Sequence, residues 1–64
     1  MIANGKEMKI GAETTLQEFL VSSGYDLCKV AVELNGTISP RKTFNDVILK
    51  NTDSLEIVSF VGGG

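Results

Sequence analysis

The sequence predicts an α+β domain, a mixed sheet of four or five strands with one main helix laid across one face. Three observations lead there. Two Asn-Gly dipeptides, Asn4-Gly5 and Asn35-Gly36, each sit between short strand-like stretches. Asn-Gly is the preferred two-residue hairpin turn because both residues tolerate positive φ. Between the two turns lies one stretch of helical periodicity, with Leu16, Phe19 and Leu20 at i, i+3 and i+4. A long strand-like run from Leu55 to Val61 follows near the end.

Met1 to Ile10 reads as a hairpin about Asn4-Gly5. That turn pairs Ala3 with Lys6 and Met1 with Met8. Met1, Ala3, Met8 and Ile10 then share the core face, and Ile2, Glu7 and Lys9 share the other. Thr15 to about Ser23 reads as the helix. Thr15 caps it, Glu18 completes a capping box, and Gly24 supplies the left-handed residue that ends it. A helix this short is marginal alone and needs a sheet to pack on. Val30 to Leu34 is a strand with Val32 and Leu34 facing the same way. Asn35-Gly36 returns it to a short strand at Thr37-Ile38, which Pro40 ends because proline cannot donate to a ladder. Thr43 to Leu49 is expected to hold a helical turn with Phe44, Val47 and Leu49 inward, and Asn51-Thr52-Asp53 is a polar turn. In the last strand Leu55, Ile57, Ser59 and Val61 form the inward set, with Ser59 as a small gap, while Glu56, Val58 and Phe60 face out. Leu16, Phe19, Leu20, Val32, Leu55 and Ile57 are the expected core.

Composition narrows the function. The chain has 64 residues, 42% hydrophobic and 22% charged, which fits one folded domain. A domain this short buries only about 60% of the surface its unfolded chain exposes. Little is left over for an enclosed cleft, which favours a carrier, a modifier or a binding module over an enzyme. The net charge of −2 and the scattered basic residues argue against a nucleic-acid partner. No apolar run approaches the ~20 residues of a membrane span, and the first residues lack the pattern of a signal peptide. A single cysteine, Cys28, forms no internal disulfide and points to a reducing compartment, the cytoplasm. With no histidine there is no triad base and no imidazole ligand; neither a metal nor a bound cofactor is expected. The eight acidic residues read as solvated surface charge. Cys28 reads as a small buried or half-buried hydrophobe rather than a redox or sulfur-relay group. Arg41-Lys42 reads as surface charge.

Two features remain as candidate sites. Val58 and Phe60 are large apolar residues on the outward set, with Ile2 expected beside them and Val61 completing a partner-binding surface. The second is the tail Gly62-Gly63-Gly64, a flexible segment following a domain over residues 1–61. A triple glycine fits a frayed end, and it also fits a chemical task. A carboxylate is a poor electrophile until activated, for example as an acyl-adenylate. The activating enzyme must draw it into a narrow channel, and residues without Cβ make the thinnest thread.

A family resemblance rests on segments along essentially the whole chain. They are Asn4-Gly5-Lys6, Thr15-Leu16, the run from Val30 to Gly36, Ile38-Ser39-Pro40-Arg41, and above all the run from Asp53 to Gly64. In these the chain resembles the ThiS family, sulfur carriers of thiamine biosynthesis with the ubiquitin-like β-grasp fold. It departs at Asn51-Thr52-Asp53, where the family often reads Asp-Gly-Asp; Asn51 is expected to take the left-handed angle there. Phe44 stands where a larger aromatic residue can occur.

The resemblance implies a two-stage reaction. A ubiquitin-activating-type adenylyltransferase, with ATP and Mg²⁺, adenylates Gly64. A persulfide donor then displaces AMP, leading to a terminal thiocarboxylate that gives its sulfur to thiazole synthase. Gly63 and Gly64 are carried over as functional, and the protein is a co-substrate with no active site of its own. The sulfur carrier of molybdopterin synthesis, a ubiquitin-like protein modifier and an inert β-grasp interaction domain are the alternatives.

Overall fold

The computed structural model describes residues 1–61. It holds five strands, β1 (Ile2–Ala3), β2 (Lys6–Glu7), β3 (Val30–Leu34), β4 (Thr37–Ile38) and β5 (Ser54–Ser59), and one α-helix, α1 (Leu16–Ser22). The strands form one sheet in the order β2-β1-β5-β3-β4. β5 lies at its centre, parallel to β1 and antiparallel to β3. This mixed sheet with one helix is the arrangement expected of a β-grasp.

Both hairpin turns form at the Asn-Gly dipeptides. Asn4 and Gly5 have φ of 52° and 79°, and Asn35 and Gly36 have φ of 52° and 83°, the double positive φ of a type I′ turn. The first turn sets Ala3 opposite Lys6. Two steps further, the Met8 N–H donates to the Met1 carbonyl at 2.8 Å, and the Met1 ammonium donates to the Met8 carbonyl at 2.9 Å. That register buries Met1 and packs Ala3, Met8 and Ile10 against the core.

Helix α1 carries the expected capping box. The Glu18 N–H donates to Thr15 Oγ1 at 3.0 Å, and the Thr15 N–H donates to Glu18 Oε1 at 2.9 Å. Its other first-turn donors are taken by the segment that follows β4. The Leu16 N–H donates to the Val47 carbonyl at 2.9 Å, and the Gln17 N–H to the Phe44 carbonyl at 3.0 Å. At the other end Gly24 has φ +88°, and the Gly24 and Tyr25 N–H groups donate to the Val21 and Leu20 carbonyls. That is a complete Schellman termination.

The segment after β4 differs from expectation. Its helical turn is a 3₁₀ turn at Arg41–Thr43, beginning directly after Pro40 rather than at Thr43. The fixed φ of proline suits the residue before a helical turn, and Thr43 Oγ1 donates to the Pro40 carbonyl at 2.7 Å. From Phe44 onward the backbone serves α1, and Thr15 and Ile48 form an isolated antiparallel bridge. Phe44 and Leu49 are buried as expected and Val47 packs against them. Asn51 is not left-handed, since its φ is not among the positive ones. Its side chain ties the turn to the first hairpin instead, accepting from the Ile10 N–H at 3.1 Å.

The six expected core residues are all buried, with Leu16, Leu20 and Leu55 wholly inaccessible. The last strand is shorter than its apolar run. β5 ends at Ser59, and Ser59 and Val61, expected inward, are both exposed. A helix of seven residues spans about 10 Å at 1.5 Å per residue, whereas a strand of six spans about 20 Å, so α1 is too short to cover β5 along its whole length. Val30, across the ladder from Ser59, is nonetheless buried, so burial on this face ends on β5 itself, after Ile57.

Candidate docking face and tail

β5 alternates between core and solvent. Leu55 and Ile57 face the helix, while Ser54, Glu56 and Val58 face away from it. Val58 is 62% exposed and lies opposite Ala31 of β3. The ladder continues one step past the strand, where the Phe60 N–H donates to the Lys29 carbonyl at 2.9 Å. Phe60 is thereby held in strand-like register and is 44% exposed. Val61, past the last ladder bond, is 94% exposed. Val58, Phe60 and Val61 are thus the exposed apolar residues at the end of the central strand.

Ile2 is exposed but is not part of that end. The parallel pairing of β1 with β5 places it beside Ser54, four residues before Val58, or about 13 Å along the strand. Two residues not singled out from sequence stand closer. The β3–β4 pairing sets Ile38 opposite Glu33, and the β3–β5 pairing sets Glu33 opposite Glu56 and Ala31 opposite Val58. Ile38, at 71%, is the most exposed large apolar residue of the sheet face. The two-residue turn at Asn35-Gly36 carried the signal. It pairs Leu34 with Thr37, so Ile38 must share the outward face of Glu33.

Asp53 overturns the expectation of solvated carboxylates. It is buried at the foot of β5. Asn35 Nδ2 donates to its Oδ1 at 3.0 Å and the Lys50 N–H donates to its Oδ2 at 2.8 Å. The Asn35 hydrogen bond above all, followed by the Lys50 N–H and the nearby positive charges of Lys50 and the chain's amino terminus, holds its carboxyl below the usual 3.8 despite burial. Asn35 also accepts from the Ser54 N–H at 2.9 Å, so the second turn residue has a role beyond turning. A matching clamp acts at the first turn. Asn4 Oδ1 accepts from the Ile57 N–H at 2.6 Å, and Asn4 Nδ2 donates to the Ile57 carbonyl at 3.1 Å. Each hairpin turn pins the central strand through its asparagine, Asn35 at the base and Asn4 midway along.

Cys28 is a second correction, since it is exposed. It lies in a 3₁₀ turn, Leu27–Lys29, whose cap Asp26 accepts from the Cys28 N–H at 2.9 Å. That turn runs along the surface between α1 and β3, and its neighbour Leu27 makes the contact with the core instead. Among the described residues no cluster of His, Cys, Asp or Glu could hold a metal ion, and no helix is long and apolar enough to cross a membrane. The residues proposed for chemistry, Gly62, Gly63 and Gly64, and the expected flexibility of that tail lie outside the described residues. The described residues therefore offer an exposed apolar group at the end of the central strand, Val58, Phe60 and Val61, immediately before the glycines in sequence.

Comparison with known proteins gives the following. The family model described as the ThiS family matches residues 2–64. The sulfur carrier protein ThiS of Bacillus subtilis (strain 168) is 40% identical over 62 residues, which cover 95% of this chain and 94% of that protein. A thiazole synthase of Paramagnetospirillum magneticum is 41% identical over 64 residues, all of this chain but only 20% of the synthase. The chain therefore spans about a fifth of that relative's length. Among solved structures, the crystal structure of a thiamine biosynthesis protein (ThiS) from Geobacter metallireducens superposes with a TM-score of 0.79 at 35% identity, covering 98% of this chain and 96% of that one.

Proposed function

The chain belongs to the ThiS family, and from that premise we propose that it is a sulfur carrier of thiamine biosynthesis, a co-substrate rather than a catalyst, whose working group is the carboxylate of Gly64. The observation that carries this reading is the family match, which runs through Gly62-Gly63-Gly64 to the last residue. The reaction is one of acyl activation. A carboxylate oxygen of Gly64 attacks the α-phosphate of ATP, pyrophosphate leaves, and an acyl-adenylate forms. A persulfide sulfur then attacks the acyl carbon and AMP leaves. A thiol cleaves the resulting sulfur–sulfur bond, and the thiocarboxylate remains on Gly64.

Two partners follow from that chemistry. The first is a ubiquitin-activating-type adenylyltransferase that binds ATP and Mg²⁺, and the exposed end of β5 at Val58, Phe60 and Val61 is the surface proposed to meet it. The second is thiazole synthase, the acceptor of the sulfur. The support for it is that a protein named thiazole synthase contains, within one chain, a segment similar to this entire sequence. The exposed, unpaired Cys28 fits a reducing cytoplasm.

The test is intact mass spectrometry after incubation with the cognate adenylyltransferase, ATP, Mg²⁺ and a persulfide donor. The expected product carries one sulfur in place of one oxygen, on the fragment that contains Gly64. High-mass conjugates to other proteins would make the chain a modifier. A carrier that stays unchanged while the enzyme turns over another carrier would overturn the reading.

A further inference from the structure

On the outward sheet face two like charges stand side by side. Glu33 of β3 and Glu56 of β5 are directly opposite one another in register, both exposed. Like charges in directly opposed positions are destabilising. The remaining cross-strand neighbour of Glu33 is Ile38, which offers no countercharge. Ala31, Val58 and Ile38 surround the pair, and together with the two glutamates they line a shallow groove of about 100 Å³. Its lining is mainly apolar, Glu33 and Glu56 are the acidic residues among it, and its volume suits the end of one long side chain.

We propose that this groove receives a single cationic side chain, arginine or lysine, presented on an otherwise apolar docking face of the adenylyltransferase. The inference rests on the sulfur-carrier reading and extends its docking surface from the end of β5 across to β4. Three features favour this occupant. Two carboxylates on adjacent strands match the forked donors of a guanidinium. Apolar walls accept the methylene stem of either cation. A cation between the glutamates also offsets the like-charge pairing of the two strands.

The experiment uses the full chain and the cognate adenylyltransferase. Affinity is measured by titration calorimetry at low and high salt for wild type, Glu33→Gln, Glu56→Gln, the double variant, and Glu7→Gln. Glu7 lies on the same outward face at the far edge, opposite Ile2, and controls for general acidity. Each groove variant should bind about tenfold more weakly at low salt, with a flatter salt dependence, while Glu7→Gln binds as wild type. The free groove variants should melt at a higher temperature than wild type, because the repulsion is gone. A merely structural role would lower the melting temperature and overturns the proposal. Wild-type affinity in the double variant, with wild type itself binding normally, overturns this inference and leaves the carrier reading standing. No binding by wild type overturns both. Self-association of the free chain that is lost on Ile38→Ser assigns the groove to a second copy and also overturns it.

Discussion

Asp53 shows how one side chain can join two distant parts of the chain. Its carboxylate accepts from Asn35, 18 residues earlier, and from the backbone of Lys50. Replacing it with alanine leaves two donors without partners in a part-buried site. A loss of about 1–3 kcal/mol in unfolding free energy is expected, read from chemical denaturation. The pH dependence follows from the lowered carboxyl. Its folded value lies below the ordinary 3.8, so its contribution is complete above that pH and disappears as pH falls through the folded value. Wild type should therefore lose melting temperature over that acid range, and Asp53→Asn, which cannot titrate, should lose less. Nothing in the local sequence disclosed this. Asn51-Thr52-Asp53 reads as a polar turn, and the partner that buries Asp53 is fixed only when β3 and β5 pair. Cys28 escaped for the opposite reason. Its residue type favours the interior, but the 3₁₀ turn after the helix puts Leu27 there instead.

At the scale of elements, the features legible in the sequence were those set by local conformational demands. An Asn-Gly turn needs positive φ at both positions, and a capping box needs only residues three apart. Both hairpins and α1 therefore formed where expected. Thr15→Ala should cost about 1 kcal/mol, measured as a lower midpoint in urea, because the Glu18 N–H loses its acceptor. The illegible part was where coverage stops. Alternation along Leu55 to Val61 has one period throughout, yet Leu55 and Ile57 are buried while Ser59 and Val61 are exposed. That difference makes the strand testable along its length. Ile57→Ala should cost about 2–5 kcal/mol of stability, since Ile57 is 7% exposed. Phe60→Ala should leave the melting temperature nearly unchanged and weaken binding to the adenylyltransferase by more than about 1 kcal/mol. A collapse of stability in Phe60→Ala would make that ring part of the core and remove it from the docking face.

At the scale of the whole molecule, the group proposed to react, the carboxylate of Gly64, follows the central strand of the sheet. The central strand is paired on both sides, held by Asn4 and Asn35, and its last described ladder bond is at Phe60. Docking that strand end against an enzyme fixes where the following residues begin. Under the proposed function, the number of residues between Phe60 and Gly64 then sets how far the carboxylate can reach. Adding one alanine after Gly64 moves the carboxylate about 3.5 Å along an extended chain. Attack on the α-phosphate requires the reacting atoms to approach within about 3–3.5 Å in good alignment, so a displacement of that size removes the reaction. Deleting Gly64 shortens the ruler by the same step. Neither change touches β5 or its neighbours, so thermal unfolding should match wild type in both. ATP–pyrophosphate exchange with the cognate adenylyltransferase is the measurement, because it reports adenylation before any sulfur is involved. Loss of exchange in both variants is expected. Full exchange by the extended chain would mean that the carboxylate of Gly64 is not the group activated, and the carrier reading would fall with it.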